Sequence, residues 1–87
     1  MSGNPVRVSG LDIHLVDDGY VVYQEPAKRV HYLNVTAALV LELCDGTRSD
    51  AQIADEVAAF FGLEAAPAAE TAQCLAQLRD EQLVVPA

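Results

Sequence analysis

Two histidines, two cysteines and one well-placed serine are the residues of this chain whose types could do chemistry. His14 and His31 are potential bases or metal ligands. Each falls in a stretch that reads as a strand, among residues that account for it, and neither has a catalytic partner in register. Ser49 leads a helix, so its hydroxyl has a capping role, and no histidine stands in register to activate it. Cys44 and Cys74 lie far apart and form no Cys-x-x-Cys pair. A zinc site wants more ligands at short spacing, so both are read as plain buried or half-buried thiols. The glycines sit singly at turns, which excludes a glycine-rich phosphate loop. The thirteen acidic residues read as a solvated surface. The expectation is a protein that is not an enzyme and carries no metal or cofactor.

Composition narrows this further. The 87 residues suffice for one small domain, 52% hydrophobic and with mean hydropathy +0.18, so the chain should fold. The net charge of −8 would repel phosphate backbones, which argues against nucleic acid. No apolar run approaches the roughly 20 residues of a membrane span. The first residues lack the basic start and apolar segment of a secretory signal, so the expected location is cytoplasmic.

The elements that would position any site follow from periodicity. Leu11, Ile13 and Leu15 alternate with polar residues, as a strand does. Asp17-Asp18-Gly19 is a turn in which Gly19 is free to take positive φ. Tyr20 to Gln24 is a second strand, broken by Glu25-Pro26-Ala27, and Lys28 to Leu33 is a third. Asn34 then caps a helix over 35–44, with Gly46 at its left-handed end. Ser49 and Gln52 have capping-box spacing and open a second helix. Its apolar stripe is Ile53, Val57, Phe60 and Phe61. Pro67 starts a third helix, which runs to about Gln82, and Leu83, Val84 and Val85 form an apolar tail. Residues 1–10 are expected as a flexible N-terminus and 11–85 as a single domain. The fold class is α+β, a three-stranded antiparallel meander followed by three helices. Its third strand is last in the meander and so lies at a sheet edge, where unpaired N–H and C=O groups can receive a partner strand.

The stretch "YLNVTAALVLELCDGTRSDAQIADEV" resembles the PqqD family, also called RiPP recognition elements. The matching residues are Leu33-Asn34, Thr36-Ala37-Ala38, Val40-Leu41, Leu43, Asp45-Gly46, Ser49 and Ile53. The resemblance implies a winged-helix-like fold and a peptide-binding chaperone. Such a domain holds the leader segment of a ribosomally made precursor peptide and presents its core to a modifying enzyme. That enzyme is often a radical SAM protein, in other pathways a peptidase or cyclase, and the host is bacterial. The leader would lie as an added strand on residues 28–33 beside the third helix. The implied peptide-binding residues are Lys28, Arg29, Val30, His31 and Tyr32 on the strand, and Leu75, Leu78, Arg79 and Gln82 on the helix. Lys28, Arg29 and Arg79 would form a basic rim suited to a leader mixing acidic and large apolar residues. Val35 and Leu39 depart from the family pattern, since relatives often carry polar residues there. Spaced i, i+4, they share a helix face and are a candidate patch for the partner enzyme or for self-association. The chain is expected as a monomer or homodimer. Two rival readings are an adaptor that binds a protein without any precursor peptide, and a winged-helix DNA-binding domain. The second helix carries Asp50, Asp55 and Glu56 and no Lys or Arg, which counts against DNA.

Overall fold

The computed structural model describes residues 3–25 and 28–86. Three strands form the expected meander, in the order β2 (Leu11–Val16), β3 (Gly19–Gln24) and β4 (Arg29–Leu33), antiparallel throughout. Three helices follow: α1 (Val35–Leu43), α2 (Asp50–Phe61) and α3 (Ala68–Asp80). The fold is α+β. Two short strands were not foreseen. β1 (Pro5–Arg7) and β5 (Val84–Pro86) pair antiparallel in a sheet of their own. β1 falls within the stretch 1–10 expected as the N-terminus, and Pro5 is buried. Opposite β5, the 44–46 loop holds it: the Arg7 N–H donates to the Cys44 carbonyl and the Gly46 N–H to that of Pro5. The apolar tail is likewise a paired strand, with Leu83 and Val84 in the core.

The caps behave as their residue types require. Asn34 Oδ1 accepts from the Ala37 N–H at 2.8 Å. Ser49 and Gln52 form a complete capping box. The first helix ends at Leu43, one residue short of the expected end, and Gly46 takes the left-handed backbone two residues beyond the Cys44 cap. Pro67 is the cap residue of α3 rather than its first turn, and α3 stops at Asp80. Gln82 lies just past it with φ 63°. Lys28 also falls in a turn, with φ 54°, so the third strand starts at Arg29. The expected break at Pro26-Ala27 lies outside the described residues.

Gly19 is needed for a reason other than the expected one. It is not among the positive-φ glycines. A Cβ there would meet the Leu33 carbonyl oxygen at 2.6 Å and the Tyr32 hydroxyl at 2.7 Å. Close approach of β4, not turn conformation, demands glycine at this position.

The core lies between the inner face of the large sheet and the three helices. Val22, Leu33, Leu41, Ile53, Leu75 and Leu78 are all buried there. The second helix buries Ile53, Ala54 and Val57 but not the rest of its expected stripe. Phe60 and Phe61 remain 66% and 40% exposed, stacked edge to face on one another. They come one turn beyond Val57, where no further element covers α2. Among the described residues no helix is long and apolar enough to cross a membrane.

Candidate functional site

Alternation decides what β4 can present. His31 and Leu33 are buried on the inner face, while Val30 and Tyr32 are exposed on the outer one. Among the described residues β4 pairs along its length with β3 on one side only. Every second residue of such an edge directs its N–H and C=O away from the sheet. The apolar C-terminal strand β5 pairs with β1, in a separate sheet.

Beside the open border runs α3. A cavity of about 160 Å³ lies between them, lined by Tyr32, Leu33, Asn34 and Ala37 on one side and Cys74, Gln77, Leu78 and Glu81 on the other. The lining is part apolar, part amide and carboxylate. It can hold a large apolar side chain with polar groups at its margin.

A polar network ties the two walls together beneath this cleft. His31 Nε2 lies 3.0 Å from Gln24 Oε1, and His31 Nδ1 lies 3.4 Å from Glu81 Oε2. Gln24 Nε2 donates to the Gln82 carbonyl at 3.1 Å. The imidazole is thus held between β3 and the end of α3. Both Gln24 and His31 are buried and partnered, which is how polar groups survive in a core. This sets the spacing between strand and helix. His31 is explained as a spacer of the cleft, not as a reactive group.

On the outer face, the Tyr32 hydroxyl donates to the Asp18 carbonyl at 2.7 Å. Desolvation, followed by the nearby Asp18, holds this phenol above its ordinary pKa. The Cys44 thiol donates to the Val40 carbonyl at 3.1 Å, and burial pushes its pKa up to about 12. Burial also raises that of Cys74, on the cleft wall. Neither thiol has the depressed pKa of a nucleophile.

The residues expected to bind peptide separate into groups. Val30, His31, Tyr32 and Leu78 lie on β4 or on the cleft wall. Lys28 and Arg29 stand exposed at the start of the strand. Gln82 contributes through its carbonyl, to the network below. Two of the expected residues stand apart from the cleft lining. Leu75 is fully buried in the core, on a different side of α3 from its neighbour Cys74, which lines the cleft. Arg79 turns toward α2, where its guanidinium meets Asp50 at 3.3 Å. Gln24, Cys74, Gln77 and Glu81 were not foreseen. Spacing offered one signal: Cys74, Gln77, Leu78 and Glu81 recur at i, i+3, i+4 and i+7 and share a helix face.

The basic residues are also partitioned. Arg7, Arg48 and Arg79 pair with Glu42, Asp45 and Asp50. Among the described residues, Lys28 and Arg29 have no ion pair; Arg29 opens the free strand and Lys28 immediately precedes it.

An unpaired strand flanked by a helix, with a part-apolar hollow between, is the geometry that strand-adding recognition modules offer. The family model described as coenzyme PQQ synthesis protein D (PqqD) matches residues 19–84. With most of its length matched, the chain belongs to the PqqD family. No curated protein matches it significantly. Among solved structures it is similar to one described as lasso peptide synthetase B1 complexed with the leader peptide. That likeness has a TM-score of 0.72 at 19% identity and covers 95% of this chain and 99% of the other. At such identity the likeness is one of fold.

Proposed function

We propose that this protein is a non-catalytic carrier for the leader segment of a ribosomally made precursor peptide. The leader adds as a strand to the free border of β4, with alternate side chains entering the cleft beside α3. The carrier then presents the precursor to a modifying enzyme, of the radical SAM type in the pathways the family resemblance suggests. The observation that carries this reading is the unpaired edge of β4 facing the cleft. Family membership supports it, as does the likeness to a fold described in complex with a leader peptide.

Charge refines the leader's character. Lys28 and Arg29 are cations without an ion pair among the described residues, on a protein of net charge −8. They favour a docking segment that mixes acidic residues with one or two large apolar ones. Rim charges of this kind act mostly on association rate and salt dependence.

The test is a titration of the labelled full chain with the leader segment of the precursor encoded beside it. Amide shifts should concentrate in residues 29–33 and 74–81, and affinity should fall with added salt. Absence of binding, or shifts confined to other elements, overturns the reading.

A further inference from the structure

The first helix is apolar on nearly every side: all of its nine residues except Thr36 and Glu42 are hydrophobic. Such a pattern belongs to a helix covered all round. The core takes Ala38, Val40 and Leu41, and Ala37 lines the cleft. The side opposite the cleft is uncovered. Val35 is 48% exposed there and Leu39 is half-buried.

Two hollows meet on that side. One, of about 240 Å³, lies between α1 and the inner face of β2 and β3, with Ile13, Tyr20, Val35 and Leu39 in its walls. The other lies between α1 and α2 against Leu43 and Ala59. Leu39 and Phe60 line both, so the two form one apolar surface. Leu15, 74% exposed and cross-strand from Tyr20, borders it. Among the described residues, the only charged ones lining either hollow are Glu42 and Glu56. Glu42 meets Arg7 at 3.1 Å, and Glu56 has no ion pair among the described residues.

We propose that this surface docks a second protein that presents apolar side chains within a basic rim, separately from the peptide cleft. Charge selects that occupant. A second copy of this chain would set the same glutamates, and another net charge of −8, against the first. A partner with lysine or arginine around an apolar knob fills the hollows and answers the acidic lining together. The two faces of α1 then serve two ligands of different charge, and both can be occupied at once. On the carrier reading above, the partner is the modifying enzyme. The surface itself does not depend on that reading.

The test titrates the isotope-labelled full chain with short synthetic helical peptides. One carries Leu and Phe at i, i+4 flanked by lysines. A second has the same anchors flanked by glutamates, and a third has lysine flanks with serine anchors. The first peptide should shift the amides of Val35, Leu39 and Phe60, leave 29–33 in place, and bind more weakly in added salt. The other two peptides should bind at least about tenfold more weakly, a loss also expected for Phe60→Ala. Phe60 is mostly exposed, so this variant keeps the fold, which its own spectrum verifies. Equal binding of all three peptides, no binding, or shifts confined to the cleft overturns the proposal. So does a concentration-dependent dimer abolished by Phe60→Glu, since the occupant would then be a second copy. Failure of a leader to bind the cleft would leave the Val35, Leu39 and Phe60 shifts untouched, so the two ideas fail separately.

Discussion

The large sheet has two borders, and they differ in charge and in what lies beneath them. At β4 Lys28 and Arg29, without ion pairs among the described residues, stand at the head of the strand, and the hollow below mixes Leu33 and Leu78 with Gln77 and Glu81. At β2 the strand and its turn carry Asp12, Asp17 and Asp18, and the hollow below is apolar apart from Glu42. Both strands leave one side unpaired among the described residues. An open edge alone therefore does not define a site. What distinguishes β4 is the helix alongside, held at fixed spacing by His31 between Gln24 and Glu81. No comparable polar tie joins β2 to a helix among the described residues.

The sharpest way to break this comparison is to empty the cleft wall and the core separately. Leu75→Ala and Leu78→Ala should each cost about 2–5 kcal/mol, since both side chains are buried. Only Leu78→Ala should also weaken leader binding, measured by titration in a stabilising osmolyte that keeps both variants folded. Equal binding losses would mean that the cleft extends into what is described here as core.

His31→Leu tests the spacer. It removes a partner from the buried Gln24 amide and should lower stability by about 1–3 kcal/mol in denaturant unfolding. Leader binding should fall with it, while the response of Val35, Leu39 and Phe60 to the lysine-flanked peptide stays as in the wild type. If both surfaces respond alike, His31 supports the whole domain rather than one border. Asn34→Ala should cost about 1 kcal/mol through loss of the α1 cap, and an unchanged melting curve would contradict this.

Thiol chemistry reports on the same division without a substitution. Cys44, with its pKa near 12, should resist alkylation until the protein unfolds. Cys74 should react first, although burial slows it, and bound leader should protect it. Mass spectrometry after timed labelling reads both sites, and an unprotected Cys74 would place the peptide elsewhere.

The smallest effect is expected at Asp45. The Thr47 hydroxyl and N–H donate to its Oδ1 at 2.6 and 3.0 Å, and Arg48 meets its Oδ2 at 2.9 Å. These contacts, led by the Thr47 hydroxyl, hold its carboxyl below the ordinary 3.8. A depressed folded value stabilises the protein above the unfolded pKa, and that contribution disappears as pH falls through the folded one. Asp45→Asn should therefore flatten slightly the acid limb of stability against pH. An acid limb identical to wild type would remove Asp45 from the account.

Much of this was legible in the residues. Alternation and turn chemistry located the three strands of the meander, and Asn34, Ser49 and Gln52 marked helix starts through local hydrogen bonds that need only neighbours in sequence. The misses involve distant partners. The strand Pro5–Arg7 is too short to stand out from its neighbours and exists because β5 and the 44–46 loop lie beside it. The direction of Arg79 depends on Asp50, in another helix. Phe60 has the spacing of a core residue, but only the arrangement of neighbouring elements leaves it uncovered.

The sequence by itself determined the three meander strands and three helices, their order, the edge position of the last meander strand and the family, because these rest on periodicity, caps and motif within short windows. The tertiary structure alone decided that β5 closes on β1 and leaves β4 open, and that Leu75 is core while Leu78 is wall. It also decided that, among the described residues, two of five cations have no ion pair. Those outcomes depend on which distant side chains arrive at the same place, and no local pattern encodes that.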